Sequence, residues 1–242
     1  MVLYAKGEPF WTPLDRHIDE CLQVLASMRR AFPHLPQLAK VPNLWRHLFL
    51  SLLFHDLGKV ASGFQESLKG KSWHYRHELL SAGLVLNLNI EEKAKQAIAM
   101  AVATSHHGYR YLWDNYRTST ESGHEVWKKK VAEMKLNEGE FRALLRAFPN
   151  LAEKYLGERL KELEEVEYAK ECVDTLQSCI RPLLIGEVDL SNRNYHVLLR
   201  GLTIASDHLA SSGLKEIREL RNLQDRVLSC EKIRQNKLLP FQ

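Results

Sequence analysis

The amino-acid sequence predicts an all-α fold, a helical bundle with a peripheral helical insertion. Three observations carry this. Apolar residues recur at three- and four-residue spacing in segment after segment, as at Leu14, Ile18, Cys21, Leu25 and Met28. No segment alternates apolar and polar residues with the two-residue period of a strand. Caps and breakers bracket the periodic stretches, as Thr12-Pro13 and Pro33 do around the first.

Taken in order, the first helix opens with Thr12 as N-cap, Pro13 at the first helical position and Asp15 in the first turn. His17 lies on its apolar face, and Pro33 and Pro36 mark the loop that follows. Asn43 can cap a second helix through Leu44, Leu48, Leu52 and Phe54. His55 falls about three turns after Leu44 and returns to the inner face. Gly58 suits the left-handed position just past a helix end. Residues 60–72 read as a loop or short helix. A third helix is expected over 74–88, with His77, Ser81, Leu84 and Leu88 on one face. A fourth covers 91–105, with Ile98, Val102 and His106 in one row and Gly108 as its stop. Residues 109–123 read as an aromatic, polar loop. The charge-dense stretch 125–170 reads as helices on the outside of the core, within a peripheral lobe at 113–170. A helix over 171–184 is followed by caps in Ser191-Asn192-Arg193-Asn194 for the helix that carries Asp207. Leu214, Ile217, Leu220, Leu223 and Val227 stripe a last amphipathic helix over 214–238.

With 242 residues the chain can bury a sizeable core, and one domain over 1–242 is expected. Hydrophobic and charged contents of 45% and 26% are those of an ordinary globular protein. The net charge of +4 permits a polyanionic substrate without demanding one. Cys21, Cys172, Cys179 and Cys230 form no C-x-x-C pair, which points away from a zinc knuckle or a disulfide framework and toward a reducing compartment. No apolar leader and no long apolar run is present, so a cytoplasmic protein without membrane association is expected.

The chemistry concentrates around Leu52-Leu53-Phe54-His55-Asp56-Leu57-Gly58-Lys59. Four other pieces carry matching ligand types: His17, Arg76-His77-Glu78, His106-His107-Gly108 and Asp207. Together they read as a metal site assembled from five helices. Two-metal phosphodiester chemistry needs several neutral imidazoles and a carboxylate able to bridge two ions roughly 3.5–4 Å apart. An aspartate beside a histidine at a helix end can supply that bridge. A bound water's pKa then falls from about 15.7 toward about 7, so no separate protein base is required. Each residue also has an ordinary alternative. His17 could be a hydrogen-bonded core histidine, His106-His107 a favourable helix end, and Asp207 half of a buried ion pair with Arg200. His74 competes with His77 for the third-helix position, and His34, His47, His74, His124, His196 and His208 read as surface or structural residues. Gly70-Lys71-Ser72 mimics the end of a P-loop, but Gln65 stands where the first glycine would be and no strand precedes it.

On these residues the chain resembles the HD superfamily of metal-dependent phosphohydrolases. More narrowly, it is similar to the HD nuclease domain of the CRISPR-associated type I helicase-nuclease. The closer likeness rests on Phe54-His55-Asp56-Leu57-Gly58-Lys59 with Gly63-Phe64-Gln65, on Arg76-His77-Glu78 with Ser81, on Ser105-His106-His107-Gly108, and on Ser206-Asp207-His208-Leu209-Ala210-Ser211. His208 departs from the bulky aromatic often found after the late aspartate. The resemblance implies an HD-domain bundle and two ions bridged by Asp56, one held by His17, His55 and Asp207, the other by His77, His106 and His107. It assigns catalysis to Asp56, His55 and Lys59, with Lys59 at the scissile phosphate. It implies Mn, Fe, Co or Ni, with Mg a further candidate. The substrate implied is single-stranded DNA, fed by a helicase domain or subunit that a crRNA-guided surveillance complex recruits. Leu238-Leu239-Pro240-Phe241-Gln242 resembles the start of a connection to such a helicase. A nucleotide or cyclic-nucleotide phosphohydrolase would use the same ligands, and a non-catalytic binding module would dispense with metal.

Overall fold

The computed structural model describes residues 2–73, 75–108, 111–112, 135–164 and 193–214. Nine α-helices order these residues: α1 (Leu14–Ala31), α2 (Leu35–Leu38), α3 (Leu44–Phe54), α4 (Ser62–Ser67), α5 (His77–Leu86), α6 (Glu92–Ala103), α7 (Glu138–Leu156), α8 (Lys161–Glu164) and α9 (Arg193–Ser211). A 3₁₀ turn, Leu57–Val60, follows α3. Among the described residues there is no strand, only isolated bridges at Tyr4–Pro13 and Ala61–Leu136, so the all-α reading holds. No described helix is long and apolar enough to cross a membrane. The expected helices over 171–184 and past Leu214, the loop at 113–123 and the terminal 238–242 lie outside the described residues.

The centre of the bundle is α3. From Leu48 to Phe54 each residue is fully buried, including the polar Ser51. A helix apolar on all sides has to be surrounded, and α1, α6, α7 and α9 pack around it. One hydrophobic cluster runs from Leu3 to Ala210. Helix α7 contributes Phe141, Leu145 and Phe148 to it, and the Phe148 ring meets Phe54 edge-on at 5.7 Å. The described part of the charge-dense segment therefore turns an apolar face into the core, while its charges cover the outside.

Several local expectations shift. Pro13 flanks α1 instead of opening it, and Leu14 donates its N–H to the Leu3 carbonyl, so no Thr12 side-chain cap is needed. Helix α6 stops at Ala103, with Thr104 as its C-cap, so His106 stands beyond the helix and not in the row of Ile98 and Val102. Gly58 does not take a left-handed conformation. It sits inside the 3₁₀ turn, where an added Cβ would lie 2.0 Å from the His77 carbonyl oxygen. Close approach of two backbones, not a helix stop, requires the glycine there.

Ser51 links the central helix to α9. Its hydroxyl lies 2.7 Å from Thr203 Oγ1, which donates its own proton to the Leu199 carbonyl, so Ser51 is the donor. Ser51→Ala should cost about 1 kcal/mol, because a buried acceptor loses its partner. The double variant with Thr203→Val should recover most of that. Urea midpoints with unchanged slopes would check both.

Candidate metal centre

The site lies where α3 ends. His55 is the C-cap of α3 and Asp56 precedes the 3₁₀ turn, so both side chains leave the most buried helix at its last turn. Helix α1 brings His17, the first turn of α5 brings His77, the turn after α6 brings His106, and α9 brings Asp207. Arg200 of α9 donates its Nε–H to the Thr104 carbonyl at 2.8 Å, fixing the end of α6 next to the site. That engagement replaces the alternative in which Arg200 pairs with Asp207.

Among the described residues, ligand atoms gather in two groups, each within 4.8 Å: His17, Cys21, His55 and Asp207, and Asp56, His77 and His106. Asp56 is fully buried and divides its carboxylate between them. Oδ2 lies 3.3 Å from His17 Nε2 and 3.6 Å from His55 Nε2. Oδ1 lies 3.2 Å from His77 Nε2 and 3.3 Å from His106 Nε2. Asp207 Oδ1 closes the first group, 3.1 Å from His17 Nε2 and 3.9 Å from His55 Nε2. Lys59 is buried, with Nζ 2.6 Å from Asp56 Oδ2, so it meets the carboxylate in this structure.

Outer partners orient the rings. His55 donates from Nδ1 to the Leu52 carbonyl at 2.7 Å, which leaves Nε2 facing the acids, buried and without a hydrogen-bond partner. Such an unpartnered ring nitrogen in an oriented imidazole is one that a divalent cation can take up on displacing its proton, and the donor set of imidazoles and carboxylates fits one in each group. Glu78, fully buried and clamped by Arg76 at 2.6 Å, places Oε2 3.4 Å from His77 Nδ1, an electrostatic contact behind that ring rather than a hydrogen bond. His107 stands apart: its ring stacks on Tyr111 at 4.3 Å, outside both groups. His47 pairs with the Tyr195 hydroxyl, and His196 faces Thr104, both away from the site. The sequence reading assigned Cys21 to the core alone. The signal was available, since Cys21 follows His17 by four residues and so shares its helix face.

Charge balance in the metal-free cluster is set by the acids. Burial opposes an imidazolium at His17, but hydrogen bonds to Asp207 and Asp56 outweigh it and raise its pKa to about 12. Burial likewise opposes charge on His55, yet the charge of Asp56 raises it to about 9. Asp56 and Asp207 are held well below the usual carboxylate range against burial, Asp56 by Lys59 and His55, Asp207 by His17. Burial lowers His77 below 6.5, which keeps it neutral near pH 7. The imidazoles raised from 6.5 stabilise the metal-free fold fully below that pH and lose the contribution as pH climbs through about 9 for His55 and about 12 for His17. The acids contribute above 3.8 and fail as pH falls through their depressed folded values. The histidines that burial lowers, His77 and His47 among them, work the other way and lose stability below 6.5, so chelator-treated protein should melt highest near pH 6.5 and lose stability toward pH 9.5. Divalent-ion affinity should run the other way, rising with pH because bound ions displace those protons. Melting curves across pH 4–9.5 and Mn titrations across pH 6–9 would test both signs.

A comparison with protein-family models matches residues 4–214 to the family described as Cas3, HD domain. No curated protein and no solved structure matches the chain. The matched span contains every residue of both ligand groups, from His17 to Asp207. The chain belongs to the Cas3 HD-domain family, metal-dependent nucleases of type I CRISPR systems that bind divalent metals.

Proposed function

We propose that the chain cuts single-stranded DNA with two divalent ions, one on His17, His55 and Asp207, the other on His77, His106 and His107, with Asp56 shared between them. The observation that carries this reading is the division of Asp56, whose Oδ2 faces His17 and His55 while Oδ1 faces His77 and His106. When bound, such a pair of ions supplies an activated water and neutralises phosphate charge. The protein's part is to hold the imidazoles oriented, through the Leu52 carbonyl behind His55 and Glu78 behind His77, while a bound ion displaces the protons that His17 and His55 carry in its absence. Lys59, 2.6 Å from Asp56, is the cation proposed to meet the scissile phosphate. His107, adjacent to His106, completes the second set by leaving its stack on Tyr111.

Support for a single strand comes from the family and from the rim. Exposed Tyr111 stacks on His107 beside the exposed His106, giving an aromatic face of the kind on which unpaired bases stack. In the proposal a helicase, as a domain or a subunit recruited by a crRNA-guided complex, delivers the strand. The imidazole-rich donor set suits Mn, Fe, Co or Ni better than a pure oxygen-ligand ion such as Ca, with Mg a further candidate. Incubation of the metal-reconstituted protein with circular single-stranded DNA tests the reading. Cutting with Mn, Co or Ni is expected. Intact circles with all three ions, or turnover of dNTPs or cyclic dinucleotides in their place, would sink it.

A further inference from the structure

Cys21 is the member of the first ligand group that the nuclease reading leaves without a task. It lies one helical turn beyond His17 on α1, fully buried, with Sγ 3.8 Å from His17 Nε2. Its sulfur and one ligand atom each from His17, His55 and Asp207 all fall within 4.8 Å of one another.

A buried cysteine ordinarily behaves as a small apolar residue and seeks no polar company. Cys21 instead faces two imidazoles and a carboxylate. The 3.8 Å separation could be a weak thiol–imidazole hydrogen bond. It also suits two ligands of one ion. With nitrogen about 2.0–2.1 Å and sulfur about 2.3 Å from a zinc-type ion, near-tetrahedral angles put the two roughly 3.6 Å apart. His55 decides between these. Its Nε2 is buried, turned into this group and without a hydrogen-bond partner, while Nδ1 is committed to the Leu52 carbonyl. A thiol–His17 hydrogen bond leaves that atom with only long contacts, 3.6 Å to Asp56 Oδ2 and 3.9 Å to Asp207 Oδ1, whereas an ion among the four residues satisfies the nitrogen and the sulfur together.

We infer that Cys21 supplies a thiolate to the ion held by His17, His55 and Asp207, making that position a nitrogen–sulfur–oxygen site selective for softer ions such as cobalt or zinc over manganese or magnesium. The inference rests on reading these residues as a metal site. The second group, Asp56, His77 and His106, offers no sulfur. The two positions therefore differ in preference, because thiolate favours softer ions and carboxylate and water favour harder ones.

The experiment is a cobalt(II) titration of the metal-free full chain followed by absorption, using wild type, Cys21→Ser, and a Cys172→Ser/Cys179→Ser/Cys230→Ser variant that keeps Cys21 as its only thiol. Wild type and the triple variant should show a near-ultraviolet thiolate-to-cobalt charge-transfer band together with the visible cobalt bands. Cys21→Ser should lose the charge-transfer band, keep the visible bands, and bind cobalt about 10- to 100-fold more weakly, with manganese affinity nearly unchanged. Visible cobalt bands without any charge-transfer band in wild type would overturn the role of Cys21 and leave the metal site standing. A band that survives Cys21→Ser would overturn it equally. Failure of wild type to bind cobalt at all would overturn the metal-site reading itself, and this inference with it.

Discussion

Asp56→Ala should abolish DNA cleavage and weaken both ions together. Its two oxygens face different imidazole pairs, so one truncation removes a ligand from each group. Losing about 4 kcal/mol of metal-derived transition-state stabilisation corresponds to roughly a thousandfold in rate. His77→Ala, which touches Oδ1 only, should instead weaken one ion preferentially. The Asp56 variant also leaves Lys59 buried without its 2.6 Å partner, so Asp56→Asn, which keeps the volume, is the better control for folding. Calorimetric Mn titrations give the stoichiometry, and cleavage of circular single-stranded DNA gives the rate. An Asp56→Ala protein that binds two ions and cuts at a near-normal rate would remove the bridge from the mechanism.

Gly58→Ala should be the most damaging single-methyl addition near the site. The new Cβ would lie 2.0 Å from the His77 carbonyl oxygen, 2.8 Å from its carbon and 3.0 Å from Ser81 Oγ. The nearest obstacle is backbone, so no side chain can rotate away to relieve it. The 3₁₀ turn must then separate from the start of α5, breaking the Gly58 N–H to Ser81 Oγ hydrogen bond of 2.8 Å. Overpacking of this kind costs about 3 kcal/mol, or a fall in Tm of about 6–12 °C for a chain of this size. The same separation pulls His77 from Asp56, so Mn affinity should fall with stability. Unchanged melting and full Mn affinity would mean that the two backbones are not in contact.

Much of this was legible in the sequence because helices write a period into it. Leu14, Ile18, Cys21 and Leu25 are buried on one face of α1, as their spacing requires. The same spacing carried His17 inward beside them, and the apolar run of α3 carried His55 and Asp56 to its buried end. Where reading failed, the missing information was contact between distant segments. His106 reads as one more turn of α6, yet the helix ends at Ala103, where Arg200, 96 residues after Thr104, takes the Thr104 carbonyl. Gly58 reads as a helix stop because that is a glycine's usual task, and only the backbone of α5 against it shows another.

By itself, then, the sequence determined the all-α class, the inward faces of α1 and α3, and the set of imidazoles and carboxylates available for chemistry, since each depends on residue type and helical period. Tertiary structure alone decided which oxygen of Asp56 meets which histidine, that Lys59 rests on that carboxylate, and that His107 lies on Tyr111 outside the second group. The reason is physical. Ligand distances of a few ångströms depend on how five segments cross at the end of α3, and that crossing is set by packing among side chains far apart in the chain.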